Sequence, residues 1–189
     1  MKIDLRKLVA YVTNGVKSSV LVEAMARQQL LLAQFLPYRL SIAMQAVSEG
    51  LALRYSQEFG ISIPEWRIIA TLGENSEMTA RDIAVHARMN KTMVSRAAAD
   101  LVRRRIVTRR TSREDRREAF LRLTRQGEDI YAAIVPLALD YERGLTAGMS
   151  GAEVAMLRRL LDQLLGQADK AAEKLASEKS AAADTAAAE

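Results

Sequence analysis

The stretch TARDIAVHARMNKTMVSRAAADLVRRRIVTRRT, residues 79–111, continued by SREDRREAFLRLT, residues 112–124, decides the fold. Thr79 reads as a helix N-cap, with Asp82 three residues on as a weak variant of the capping box. Ile83, Ala84 and Ala87 then make a short apolar face. Asn90 reads as a second N-cap and opens a helix from Lys91 to about Arg104. Beyond it the period shortens to that of strands: 106–111 and 119–123 are β-like, and the charged run 112–117 joins them as a hairpin, without an Asn-Gly or Asp-Gly turn. With the helix expected from Pro64, the order over 64–123 is helix, short helix, turn, helix, β-hairpin. That is the order of a helix-turn-helix with a wing.

The helix from Lys91 separates cleanly on a wheel of about 100° per residue. With Lys91 at zero, Met93, Val94, Ala97, Ala98 and Leu101 fall between about 200° and 340°, one apolar face. Lys91, Ser95, Ala99, Thr92, Arg103 and Arg96 fall between zero and about 140°. This second face holds hydroxyls and cations around a small alanine, and no carboxylate. Such a face also fits an ordinary surface helix, but those usually mix in Glu and Asp. Donors flanking a residue that permits close approach are what a major-groove helix needs. Arg113, Arg116 and Arg117 sit in or beside the hairpin turn, where arginine can enter the narrow, electronegative minor groove or can simply be solvated.

Charge distribution points the same way. Residues 79–125 hold 14 Lys/Arg against five Asp/Glu, a local net of +9 within an overall +5, so the remaining residues sum to −4. A single contiguous quarter of the chain is basic, the footprint expected for phosphates. The 189 residues contain no cysteine and one histidine, which excludes disulfides, thiolate chemistry, Cys-ligated zinc and multi-histidine metal sites. No metal or other cofactor is expected. No apolar run approaches the ~20 residues of a membrane span, and the N-terminus lacks a signal core, so no membrane partner and a cytoplasmic location are expected. Without a phosphate-binding glycine loop, a nucleophilic cysteine or more than one histidine, the chain does not read as an enzyme.

Outward from the centre, the rest reads as helix. Residues 3–35 carry apolar positions at helical spacing (Ile3, Leu8, Val12, Val16, Val20), weakened at Gly15, as one broken helix or two. Pro37 suits the first turn of a helix that carries Leu40, Met44, Val47, Leu51 and Tyr55 and stops at Gly60. Ser62–Glu65 starts another, with Trp66, Ile69, Ala70 and Leu72 buried, ending over 73–76. After Thr124 the helical period returns through Ile130, Ile134 and Leu145, with a kink expected at Pro136. Ser150–Glu153 reads as a capping box before Val154, Leu157, Leu161 and Leu164. The expected class is mainly α with a small β-hairpin wing. The expected organisation is an N-terminal helical extension for dimerisation (1–36), dimerisation helices (37–60 and 125–166), a winged helix-turn-helix lobe (61–124), and a fraying helix with a disordered tail (167–189).

Specific pieces of the central stretch resemble the MarR family of bacterial regulators: 79–84, 89–96, Leu101, the Asp115-Arg116-Arg117 signature, and Leu-x-Leu-Thr-x-x-Gly over 121–127. Broader agreement covers roughly 37–165. The resemblance implies a ligand-responsive transcriptional regulator, a repressor in expectation, bound as a homodimer to a palindromic operator on double-stranded DNA. It implies DNA contacts from Thr79, Asn90, Lys91, Thr92, Ser95 and Arg96 and from the wing residues Arg113, Asp115, Arg116 and Arg117, with Arg117 in the minor groove and Asp115 orienting it. The sequence departs from the family at Arg105, where glycine is common. Arginine tolerates positive φ poorly, so a differently built helix end is expected.

The same resemblance implies a small-molecule effector, an aromatic acid or a coenzyme A thioester, in a cleft lined by Tyr38, Arg39, Met44, Trp66, Arg67 and His86. Each position also fits a plain structural role: Trp66 and Met44 in the core, His86 in a cap, Arg39 and Arg67 in solvent. The competing reading is a sequence-independent architectural DNA-binding protein, which shares the basic lobe but has no preferred operator.

Overall fold

The computed structural model describes residues 30–111 and 119–186. The chain divides into two units, Met1–Gly50 and Leu51–Glu189. Most of the expected N-terminal extension lies outside the described residues. Its last part is a turn instead of a helix end, with the Gln34 and Phe35 amides donating to Leu31 O at 2.9 and 3.0 Å. Helix α1 (Leu36–Phe59) begins there, with Pro37 in its first turn, where a missing N–H costs nothing. Within the first unit its apolar positions Leu40, Met44 and Val47 are exposed.

The second unit contains the buried core. Helix α2 (Ile63–Asn75) begins where a helix start was expected, and it opens on a capping box: the Glu65 amide donates to Ser62 Oγ at 3.4 Å, and Glu65 Oε2 accepts from the Ser62 amide at 2.8 Å. The helix runs through Gly73, which sequence reading took as part of its end. A Cβ there would run into the Tyr131 ring, so this glycine serves packing. Strand β1 (Glu77–Thr79), helix α3 (Ala80–His86) and helix α4 (Lys91–Arg103) follow, then β2 (Val107–Thr111) and β3 (Ala119–Leu123). The sheet is antiparallel in the order β1-β3-β2, pairing Thr79 with Phe120 and Arg109 with Leu121. The two strands of the wing are those expected. β1 is an addition, three residues too short to show alternation.

Ile68, Ile69 and Leu72 of α2 meet Ile83 of α3, Val94 and Leu101 of α4, and Leu121 of β3 in one core. It fixes the two helices of the helix-turn-helix against the sheet. Helix α5 (Arg125–Thr146) holds Pro136 in its interior and is helical on both sides of it. Helix α6 (Gly151–Ala186) opens on the Ser150–Glu153 box. It continues past Gly166 to Ala186, where fraying and disorder were expected. Alanine, lysine and glutamate are strong helix formers, and Lys174 and Glu178 stand 3.9 Å apart at the i,i+4 spacing.

Tyr55 of α1 is fully buried, and its hydroxyl has no hydrogen-bond partner among the described residues. Its ring lies 5.7 Å from that of Trp66, which stacks on Tyr131 at 6.2 Å. Burial pushes the Tyr55 phenol up from 10.0 to about 12, against a smaller opposing pull from Arg67. The folded state thus holds this proton more tightly than the unfolded chain. The stabilisation is complete below pH 10 and is lost as pH rises from 10 to about 12. Tyr55→Phe removes an unpaired buried hydroxyl and should stabilise the protein by about 1 kcal/mol. It should also flatten the alkaline limb of stability, measured by denaturant melts at pH 8 to 11. A loss of stability at pH 8 would show that the hydroxyl is satisfied.

Candidate nucleic-acid interface

The short turn between α3 and α4 is closed by local bonds. Thr79 caps α3: its hydroxyl accepts from the Asp82 amide at 3.1 Å and donates to Asp82 Oδ2 at 2.7 Å. At the other end of α3 the Arg88 amide donates to Val85 O and the Met89 amide to Ala84 O, at 3.2 and 2.9 Å. Arg88 takes the left-handed φ of 49° that this closure demands. Two residues later Asn90 Oδ1 accepts from the Thr92 and Met93 amides at 2.8 and 3.2 Å. The first turn of α4 is therefore satisfied without any acidic residue.

Val94, Ala97, Ala98 and Leu101 of α4 are buried, while Lys91, Thr92, Ser95, Arg96 and Ala99 are exposed. The two faces are those of the wheel, except at Met93, which stands 46% exposed at the edge of the apolar face. The helix's one acid, Asp100, pairs with Arg103 at 2.7 Å. Ser95 and Ala99 share a cavity of about 320 Å³ with Arg109 of β2 and Ala119 and Leu121 of β3. The polar face of α4 and the root of the wing therefore border the same space. Arg109 was not singled out from the sequence; its strand position, cross-paired to the inward Leu121, is the signal that finds it. Arg110 is turned to Glu77, at 3.2 Å, and lies over the Phe120 ring at 5.9 Å. The wing residues Arg113, Asp115, Arg116 and Arg117 lie outside the described residues.

Arg105, for which a different helix end was expected, takes the glycine conformation after all. Its φ is 58°, its amide donates to Val102 O at 3.0 Å, and the Ile106 amide donates to Leu101 O at 2.9 Å. Leu101 and Ile106, which that last bond joins, are both fully buried, and this burial offsets the strain at Arg105.

Of the expected effector residues, Tyr38, Arg39 and Met44 are exposed on the first half of α1, in the first unit. Trp66, Arg67 and His86 belong to the second. Trp66 is half-buried between Tyr55 and Tyr131, and His86 lies 3.7 Å from Glu74. Among the described residues no group of three or more metal-ligating side chains occurs, and no helix is long and apolar enough to cross a membrane.

A three-stranded sheet carrying two short helices, with the second helix presenting an acid-poor polar face beside the wing, defines a winged helix-turn-helix module. Residues 59–118 match the model of the MarR family. The fold is shared with solved MarR-family regulators. A MarR/EmrR family transcriptional regulator from Acinetobacter sp. ADP1 is 25% identical, with 75% of this chain and 99% of that one covered and a TM-score of 0.69. A MarR family regulator from Silicibacter pomeroyi DSS is 27% identical, covering 71% and 89%, with a TM-score of 0.62. NadR in complex with 4-hydroxyphenylacetate is 26% identical, covering 66% and 88%, with a TM-score of 0.58. No curated protein matches the chain. The resemblance read from the sequence stands: residues 59–118 match the MarR family model, and the fold is that of solved MarR-family transcriptional regulators.

Proposed function

We propose that this protein is a ligand-responsive repressor that binds a palindromic operator as a homodimer and is released by a small aromatic acid or its coenzyme A thioester. The observation that carries the reading is the shared border between the polar face of α4 and the wing root, with Ser95 and Arg109 lining one cavity. A recognition helix in the major groove is the docking geometry of a helix-turn-helix, and arginine in a protruding hairpin can enter the narrow minor groove beside it. In this reading Lys91, Thr92, Ser95 and Arg96 face the duplex, Arg113 and Arg116 contact DNA from the wing, Arg117 enters the minor groove, and Asp115 orients it. Thr79 and Asn90 act through their caps, which set where α3 and α4 begin.

Dimerisation is supported by apolar surface left open. Leu157, Leu160, Leu161, Leu164 and Leu165 of α6 are each 38–46% exposed, as one stripe along the helix. A two-fold pairing would cover it and set two recognition helices one DNA turn apart. The effector class is supported by the aromatic acid bound to NadR. Tyr38, Arg39, Met44, Trp66, Arg67 and His86 remain its proposed contacts, by their mix of aromatic, apolar and cationic groups.

Selection of a duplex from a random pool, followed by competition with unrelated DNA, tests the reading. A regulator keeps a large affinity ratio for its selected palindrome, whereas an architectural protein loses it. In the same assay Lys91→Ala should reduce the slope of log affinity against log salt by about 0.9, one phosphate contact. An unchanged slope removes Lys91 from the interface. Release of the duplex by aromatic acids tests the effector.

A further inference from the structure

Helix α6 is 36 residues long, yet up to Ser180 none of its residues is buried, and all but Val154 and Asp169 are exposed. Two ion pairs tie it to the rest of the second unit among the described residues. Arg158 Nη2 meets Glu142 Oε1 of α5 at 2.8 Å. Eleven residues on, about 16 Å along the helix, Asp169 takes both arms of the Arg88 guanidinium: Nη1 to Oδ1 at 2.8 Å and Nη2 to Oδ2 at 2.7 Å. Fork-to-fork pairing of this kind fixes direction as well as distance.

Arg88 is not an arbitrary partner. It is the left-handed residue of the turn between α3 and α4, a position where a side chain is disfavoured and glycine is at ease. It lies two residues before Asn90, the cap that starts α4. Asp169 in turn lies beyond about residue 165, where the family resemblance ends. The carboxyl of Asp169 is held below its usual range, first by the hydrogen bond from Arg88.

We propose that Asp169 is a positioning residue for DNA recognition: through its bidentate pair with Arg88 the distal half of α6 sets the turn from which the recognition helix begins. This rests on the DNA-binding reading above. The stripe that a second copy would cover and the residue that grips the turn lie on the same helix, so α6 couples dimer geometry to the start of α4.

The sign of one substitution separates positioning from simple electrostatics. Removing an acid beside a basic lobe should strengthen DNA binding if charge alone matters. Positioning requires the opposite. With the duplex that the wild-type protein selects from a random pool, Asp169→Asn should bind two- to five-fold more weakly, the range of a well-formed exposed pair. Its salt slope should not change, because Asp169 touches no phosphate. Arg88→Asp should also weaken binding, and Arg88→Asp combined with Asp169→Arg should recover most of the loss. Aspartate tolerates the left-handed conformation, so the swapped protein is not strained at residue 88. Equal or tighter binding by Asp169→Asn overturns the proposal, as does a swap no better than Arg88→Asp alone. A pool that yields no duplex for the wild-type protein sinks the DNA-binding reading itself.

Discussion

Gly127→Ala should destabilise the protein by about 3 kcal/mol and lower its melting temperature by about 6–12 °C. Gly127 is the third residue of α5 and is buried against the segment that follows α4. A Cβ on it would overlap the main-chain carbonyl of Ile106. That carbonyl cannot swing away as a flexible side chain could. Ile106 O accepts from the Thr124 amide at 3.0 Å, and the Ile106 amide closes the last turn of α4 on Leu101 O. The Thr124 hydroxyl donates to Arg105 O at 2.6 Å and accepts from the Gly127 amide at 3.2 Å. One methyl group therefore pushes on the joint that ends α4 and starts α5, and the core residues Leu101 and Ile106 must move with it. Gly144→Ala is the matched control. It lies in the same helix, nothing stands within 4 Å of its Cβ position, and it should gain about 0.5–1 kcal/mol. A Gly127→Ala protein melting within about 2 °C of wild type would show that the joint has slack.

That joint also shows what the sequence could and could not convey. The Leu-Thr-x-x-Gly pattern was legible as a signature, but its physical reason needs Ile106, which lies 21 positions before Gly127. Interactions confined to four residues were read directly. The helix start at Ser62 and the caps at Thr79, Asn90 and Ser150 are all present, because a cap needs only its own hydroxyl or amide and the next turn. The buried and open faces of α4 followed from helical period alone, and Met93 departs from them because it sits at the edge of the apolar arc. The ion pairs Glu65–Arg104 and Arg88–Asp169 join residues 39 and 81 positions apart, and no periodicity announces them. Strand β1 was missed for the same reason, since its pairing with β3 is the whole cause of its existence. Past Gly166 composition suggested a fraying helix before a disordered tail, and the helix runs to Ala186: an alanine-rich charged segment can be a solvated helix as readily as a disordered one. At Arg105 a local rule failed, because the closure of a buried turn outweighed the preference of one side chain.

Arg104→Ala should cost about 3 kcal/mol, and the loss should be partly reversed by a second change that removes a charge instead of restoring one. Arg104 is the C-cap of α4, and its guanidinium reaches back to the junction of α1 and α2. Nη1 donates to Gly60 O at 2.9 Å and to Glu65 Oε1 at 3.1 Å, and Nη2 donates to Phe59 O at 3.0 Å. It thus caps the last carbonyls of α1 while neutralising a carboxylate whose side chain is only 10% exposed. The other oxygen of Glu65 already accepts from the Ser62 amide and hydroxyl, at 2.8 and 2.6 Å, and cannot turn outward without giving up the cap of α2. Truncating Arg104 therefore leaves a buried charge half-compensated and two helix-terminal carbonyls unpaired. Arg104→Lys should recover only a fraction, since a single ammonium cannot span three acceptors in the plane the guanidinium fits. Glu65→Gln in the Arg104→Ala background should restore about 1 kcal/mol or more, because it removes the stranded charge and leaves a carbonyl oxygen for Ser62. In the wild-type background the same Glu65→Gln change should destabilise. That reversal of sign, read from a double-mutant cycle by denaturant melts, is a coupling that only direct contact produces. Additive effects of the two substitutions would mean that Arg104 acts through the carbonyls of α1 alone, and that Glu65 serves only the cap of its own helix.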